Sequence, residues 1–181
     1  RQMCIRDRFE DMMREITGAE YAIAVVNGTA ALHMALMLAD VGCGELVVTQ
    51  AVSFVATCNA ISYLGAEPYF VDIDRKTLGM SADAFEAFLK DVRITNGQPI
   101  HQPSGKRVAA CVPMHTFGFP LEIDRIAVLC EKYGIPLVED AAESIGSSYK
   151  GQHTGTFGLL GIFSFNGNKT ATCGGGGIIG D

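Results

Sequence analysis

The 181-residue chain is expected to be an α/β protein, a mainly parallel sheet flanked by helices, and two observations predict it. Short apolar runs with strand character alternate with helical patterns along most of the chain. The strand candidates are almost continuously apolar, as strands are when both faces of their sheet are covered.

A helix is expected over 9–17, followed by the strand "YAIAVV" (21–26). Asn27-Gly28-Thr29 then opens a helical pattern, "AALHMALMLA", that ends by Gly42. "ELVVT" is the next strand, "SFVATCNAISYLG" the next helix and "EPYFVDI" the strand after it. "SADAFEAFLKDV" is a helix capped by Ser81. The polar stretch "TNGQPIHQPSGK", which carries Gly and Pro, is expected to be a loop. "RVAACVPM" is β-rich, "EIDRIAVLCEKYG" is an amphipathic helix closed by Gly134, and "PLVED" is a further strand. The closing "GGIIGD" reads as an apolar strand with no helix after it. The opening octet "RQMCIRDR" has no amphipathic period and is set aside as a candidate non-native leader, residues 1–8. Residues 9–181 are then one partial domain, truncated on its C-terminal side.

Composition excludes several classes. With 48% apolar and 19% charged residues the chain can bury a core, so disorder is not expected. A net charge of −6 without a cluster of Lys and Arg provides no footprint for nucleic acid or an anionic membrane. No apolar run is long enough to span a bilayer, and the N-terminal residues lack a signal-peptide centre. A soluble, cytoplasmic protein is expected. The six cysteines, at 4, 43, 58, 111, 130 and 173, lack zinc-ligand spacing and read as reduced thiols, so no metal site is expected.

In open sheets of this kind ligands bind beyond the carboxyl ends of the strands. Those ends carry "NGT", "QAVSF", "PMHTFG" and "EDAAES". Gly28 and Thr29 stand where a strand hands over to a helix, so the helix end can receive an anion such as phosphate, although taken alone they read rather as an ordinary turn and cap. The turn is not G-x-G-x-x-G, and "GNKT" only imitates the end of a phosphate loop, since Asn168 separates Gly167 from Lys169. Asp140 ends an apolar strand, where a carboxylate needs a cation or donors, unless it merely caps "AAES". Lys169 lies between a polar turn and four consecutive glycines, in "SFNGNKTATCGGGG". A lysine is ordinarily a solvated surface charge. Pyridoxal phosphate, however, needs a lysine for its aldehyde, an acid for its ring nitrogen, a flat side chain for its ring face and a helix end for its phosphate. Lys169, Asp140, Phe54 and Gly28-Thr29 supply all four.

The ordered series "NGTAAL", "SFVATCNAI", "YLGAEPYFVDID", "MHTFGFP", "GIPLVEDAAESIGSSYKGQHTGTFG" and "FSFNGNKTATCGGGG" resembles the DegT/DnrJ/EryC1/StrS sugar aminotransferases over roughly residues 15–181. The resemblance implies an aspartate-aminotransferase-like (type I) large domain, pyridoxal 5'-phosphate as cofactor, and a homodimer whose active site is shared. It makes Lys169 the lysine that takes the cofactor's aldehyde and Ser164 a phosphate contact beside Gly28 and Thr29. Phe54 stacks on the ring and Asp140 pairs with the pyridine nitrogen. Position 143, where many members have Gln near the cofactor's phenolic oxygen, holds Glu143, which when ionised accepts but does not donate. His115, in "MHTFG", is expected to be a satisfied structural histidine. The wording "VEDAAESIGS" and "SFNGNKT" is similar to the subgroup that aminates UDP-linked 4-keto-6-deoxy-N-acetylhexosamines, with glutamate the expected amino donor, in surface-glycan or nonulosonate precursor synthesis. Two alternatives remain: a pyridoxamine-phosphate-dependent sugar 3-dehydratase of the same fold, whose lysine is replaced by histidine, and a non-catalytic binding or regulatory homologue.

Overall fold

The computed structural model describes residues 4–181. In chain order its elements are α1 (Ile5–Thr17), β1 (Ala22–Val25), α2 (Gly28–Leu38), β2 (Leu46–Gln50), α3 (Val55–Tyr63), β3 (Glu67–Val71) and α4 (Ala82–Leu89). Then come β4 (Val92–Thr95), β5 (Gln98–His101), β6 (Lys106–Val112), a 3-10 turn (Thr116–Gly118), α5 (Ile123–Tyr133) and β7 (Val138–Asp140). A short hairpin of β8 (Ser148–Tyr149) and β9 (Gln152–His153), then β10 (Leu160–Ser164) and β11 (Gly177–Gly180), complete it.

Strand pairing runs β1-β11-β10-β7 and β3-β2-β6, and the bridges Cys111–Leu137 and Met114–Asp140 join β7 to β6. All these neighbours run parallel except where β11 meets β1 and β10, so a mainly parallel sheet carries one reversed strand. Successive side chains of a strand face opposite ways. Val47, Val112 and Ile162 accordingly pack with Leu32, Leu36 and Ile61 of α2 and α3. Val48, Val108 and Cys111 pack on the other face with Phe85, Leu89 and Ile126 of α4 and α5, and α1 covers Phe163 and Ile178 through Met13.

Local chemistry sets the boundaries. Asn27 accepts a hydrogen bond from the Ala30 N–H (2.8 Å) and starts α2, and Ser81 does the same for α4 through Ala84 (3.2 Å). Gly134, at φ 63°, ends α5 as expected. Two expectations are corrected. The first helix starts at Ile5, so part of the octet set aside as a leader is helical, while residues 1–3 lie outside the described residues. The segment expected to be a loop is instead a hairpin: β4 and β5 pair antiparallel around Asn96-Gly97, both with positive φ (51° and 77°). An Asn-Gly pair with that backbone matches the right-handed twist of the strands it joins.

Candidate functional site

The carboxyl ends of β1, β2, β6, β7 and β10 open on one cavity of about 220 Å³. Its lining brings together all seven expected site residues: Gly28, Thr29, Phe54, Asp140, Glu143, Ser164 and Lys169. Gly28 and Thr29 are the first two residues of α2, so the positive end of the helix dipole lies at the cavity wall. A Cβ on Gly28 would come within 2.8 Å of the Ser164 Cβ, so only glycine lets the helix start this close to the end of β10. Phe54 immediately precedes α3 and leaves about half its surface exposed on the rim.

Asp140 is buried at the end of β7. Its Oδ2 accepts from the Thr57 hydroxyl (2.7 Å) and its Oδ1 from the Ala142 N–H (3.2 Å). Among the described residues it has no ion-pair partner in contact. Burial therefore pushes its carboxyl above the usual range, against the opposing pull of Thr57, Ala142, and the charges of Lys169 and His115.

Lys169 follows the turn after β10, its N–H donating to the Asn166 carbonyl (3.0 Å). Its side chain is 7% exposed, its Nζ donates to Glu143 Oε1 (3.0 Å), and it stands 5.1 Å from the centre of the Phe54 ring. The lysine is therefore folded into the cavity and not out in solvent as a surface charge. Glu143 accepts a second bond at Oε2 from the Phe117 N–H (3.1 Å). Downstream, Gly177 runs so close to α2 that a Cβ there would lie 2.5 Å from the Asn27 carbonyl oxygen, which ties the glycine run to the start of the helix.

His115 departs from the expectation of a satisfied histidine. Its Nε2 lies 2.9 Å from Glu139 Oε2, but its buried Nδ1 has no partner among the described residues. The sequence reading missed Glu139. Its carboxylate faces away from Asp140's partners and also accepts from the N–H groups of Gly155 (2.8 Å), Phe157 (2.5 Å) and Gly158 (2.9 Å), fixing the loop between β9 and β10. The signal available was "VED": consecutive acids at a strand end point to opposite faces, so both need partners. Thr57 was also missed, since a threonine inside a helix says nothing of what it faces.

The residues fit pyridoxal phosphate. A buried carboxylate without a cation partner suits a pyridinium, a primary amine stands within the same cavity, and a helix start kept close to Ser164 by glycine suits a phosphate.

The sequence profile of the DegT/DnrJ/EryC1/StrS aminotransferase family matches residues 5–180. EpsN of Bacillus subtilis (strain 168), named as a candidate pyridoxal phosphate-dependent aminotransferase, is 43% identical over 171 residues, 94% of this chain and 42% of EpsN. The crystal structure of a DegT DnrJ EryC1 StrS aminotransferase from Brucella abortus is 33% identical, with a TM-score of 0.87 over 96% of this chain and 44% of that one. DesI, crystallised in the presence of its TDP-sugar product, is 27% identical, with a TM-score of 0.80 over 97% of this chain and 40% of its own. The chain thus spans less than half the length of these relatives. With a family profile matched from residue 5 to residue 180, the chain belongs to the DegT/DnrJ/EryC1/StrS aminotransferase family.

Proposed function

We propose that the chain is part of the cofactor-binding large domain of a pyridoxal phosphate-dependent aminotransferase that aminates a nucleotide-linked 4-keto-6-deoxy sugar. The amino donor is glutamate, and the product serves surface-glycan or nonulosonate precursor synthesis. The observation that carries the reading is a sequestered lysine, Lys169, in one cavity with a buried carboxylate, Asp140, that lacks a cation in contact. DesI, the structural relative with a TDP-sugar product, supports the nucleotide-sugar class.

Each residue has a task in this reading. Gly28, Thr29 and Ser164 hold the phosphate, using the N-terminal end of α2 and a hydroxyl. Phe54 covers one face of the ring. Asp140, oriented by Thr57 and Ala142, would keep the ring nitrogen protonated, since a cation in contact would offset the desolvation of its buried carboxylate that the two hydrogen bonds leave uncompensated. The bound cofactor supplies an electron sink for the bond broken at the amino carbon. Lys169 would hold the cofactor through its Nζ and, when released from it, would move a proton at that atom. Glu143 gives the freed Nζ a docking point, as the 3.0 Å contact suggests.

The same reading includes a cytoplasmic homodimer with shared active sites. The exposed Met34, Met37 and Leu38 of α2 and Val55 and Tyr63 of α3 support it, as an apolar surface that a second copy would cover. Its six cysteines are free thiols, in keeping with a reducing compartment.

The test uses the full-length protein. Borohydride reduction of the loaded enzyme should couple the cofactor to the peptide containing "NGNKT", and Lys169→Ala should lose both the label and transamination. Lys169→Arg should lose them too, because a guanidinium stays protonated. A label on Lys150 or Lys90 would refute the assignment.

A further inference from the structure

The Lys169 Nζ is placed by the Glu143 carboxylate and the Phe54 ring, and both trace back to one buried amide. Gln50, in "TQAVSF", ends β2 and is fully buried. Its Oε1 accepts from the N–H groups of Met80 (2.8 Å) and Met114 (3.0 Å). Its Nε2 donates to the Val52 carbonyl (2.8 Å) and to Thr116 Oγ1 (2.9 Å). Thr116 Oγ1 in turn donates to the Leu78 carbonyl (2.9 Å), which also lies 3.4 Å from the Gln50 Nε2. Two donors and two acceptors thus converge on one dry point, and a primary amide satisfies all four. Turned end for end, it would set its own N–H₂ against two N–H groups, so its orientation is fixed.

Two arms run from this amide to the lysine. Val52 stands two residues before Phe54, whose ring centre is 5.1 Å from the Nζ. Thr116 precedes Phe117, whose N–H donates to Glu143 Oε2 (3.1 Å), while Glu143 Oε1 accepts from the Nζ (3.0 Å). The second arm crosses strained backbone. Leu78 (φ 57°) and Phe117 (φ 54°) are both left-handed, a region that bulky side chains rarely enter. Thr116 is bonded to the first through its hydroxyl and to the second through the chain. Strain of this kind persists only where the surroundings impose it, and it gathers at functional sites. Gln50 itself does not line the cavity, so it can act on the site only through these neighbours.

We propose that Gln50 is a positioning residue of the site: together with Thr116 it sets where Glu143 and Phe54 stand, and so fixes the resting place of the Lys169 Nζ. The inference rests on the aminotransferase reading above for what the lysine does, and on the hydrogen bonds alone for what holds it. On its far side the 3-10 turn is held by Ser147 Oγ, which donates to the Gly118 carbonyl (2.8 Å). Loss of the Thr116 hydroxyl therefore lets the turn shift about Ser147 and carry the Phe117 N–H away from Glu143, with the rest of the fold intact.

The experiment uses full-length protein carrying Gln50→Glu, Thr116→Val or Thr116→Ser. Glutamate keeps the shape and the two accepted bonds but has no donor for Val52 and Thr116. Valine keeps the shape of Thr116 and cuts only the arm to Phe117, and serine restores the hydroxyl. Two readouts use cofactor-free protein: hydrogen exchange of the peptide containing Phe117, and acetylation of Lys169 by acetic anhydride relative to the exposed Lys150. The third is the rate at which pyridoxal phosphate is coupled to Lys169 under borohydride. In Gln50→Glu and Thr116→Val, exchange should quicken and acetylation of Lys169, now only 7% exposed, should rise several-fold. Coupling should slow by about 10-fold in both and stay within about two-fold of wild type in Thr116→Ser, since a reacting group misplaced by about 1 Å costs up to about 100-fold. Lower stability in urea with unchanged acetylation and coupling would show a role in folding alone and overturn the proposal. So would a Thr116→Ser protein as impaired as Thr116→Val. If Gln50→Glu does not fold, the Thr116 pair decides. Wild-type protein whose Lys169 takes no label from pyridoxal phosphate would instead overturn the aminotransferase reading, while exchange and acetylation still decide whether Gln50 and Thr116 place the lysine.

Discussion

Replacing Asp140 by Asn in the full-length protein separates the site's chemistry from its architecture. Asparagine has the same shape, can accept from the Ala142 N–H as Oδ1 does, and can meet Thr57 Oγ1 with its amide in place of Oδ2. Two effects oppose each other. Losing the charge weakens the two hydrogen bonds by about 1 kcal/mol in all. Removing a buried, unpaired charge relieves a desolvation penalty of several kcal/mol. The raised pKa of Asp140 shows which wins: burial disfavours the ionised form in the folded protein more than its two hydrogen bonds and the nearby charges favour it. The cofactor-free variant should therefore be at least as stable as wild type at neutral pH. The native state binds the Asp140 proton more tightly than the unfolded chain does, so the penalty is full above the raised native pKa and fades as the pH falls toward the unfolded value of about 3.9. The advantage of the variant should shrink over that window. Turnover should move the other way, falling by about 100- to 1,000-fold, as when a preorganised electrostatic partner is lost. Urea titrations of both cofactor-free proteins between pH 4 and pH 8, with steady-state rates on the loaded enzymes, measure both arms. A variant several kcal/mol less stable than wild type, or one with unimpaired turnover, would show that Asp140 serves as a cap.

Two further substitutions probe the scaffold. Gly28→Ala gains helix propensity, but its Cβ meets the Ser164 side chain at 2.8 Å; we expect a net loss of about 1–3 kcal/mol in thermal unfolding, with weakened binding of inorganic phosphate to the cofactor-free protein, and a neutral result would show that α2 yields freely there. Glu139→Gln replaces one acceptor oxygen with an N–H₂ group amid four donors, so at least one buried backbone N–H loses its partner. A loss of about 2–5 kcal/mol is expected by urea denaturation, and a change below about 0.5 kcal/mol would mean that the loop over 155–158 is held by other contacts.

What the sequence determined by itself is the set of local decisions. Continuous apolar runs placed the parallel strands, Asn27 and Ser81 placed helix starts, and Gly134 placed an end, because each depends on neighbours within a few residues. The site was legible because strand ends share one edge of a parallel sheet, so "NGT", "SF", "VED" and "SFNGNK" had to converge once the alternation was recognised. The hairpin around Asn96-Gly97 was missed although its turn signal was present. Its strands are short, half polar and include Pro99, so they show no core-facing alternation; pairing of β5 with the start of β6 makes them strands. The reversal of β11 was equally hidden, since "GIIG" is apolar in either direction, and only its place between β1 and β10 sets its sense. Partnership across the chain lay furthest out of reach. Glu143 meets Lys169 from 26 residues away, Thr57 meets Asp140 from 83, and Glu139 closes a loop 16 to 19 residues downstream. A buried carboxylate must find donors, and the sequence states that need, but which donors come within hydrogen-bond reach is decided by how the sheet stacks its strands and brings distant loops to one edge.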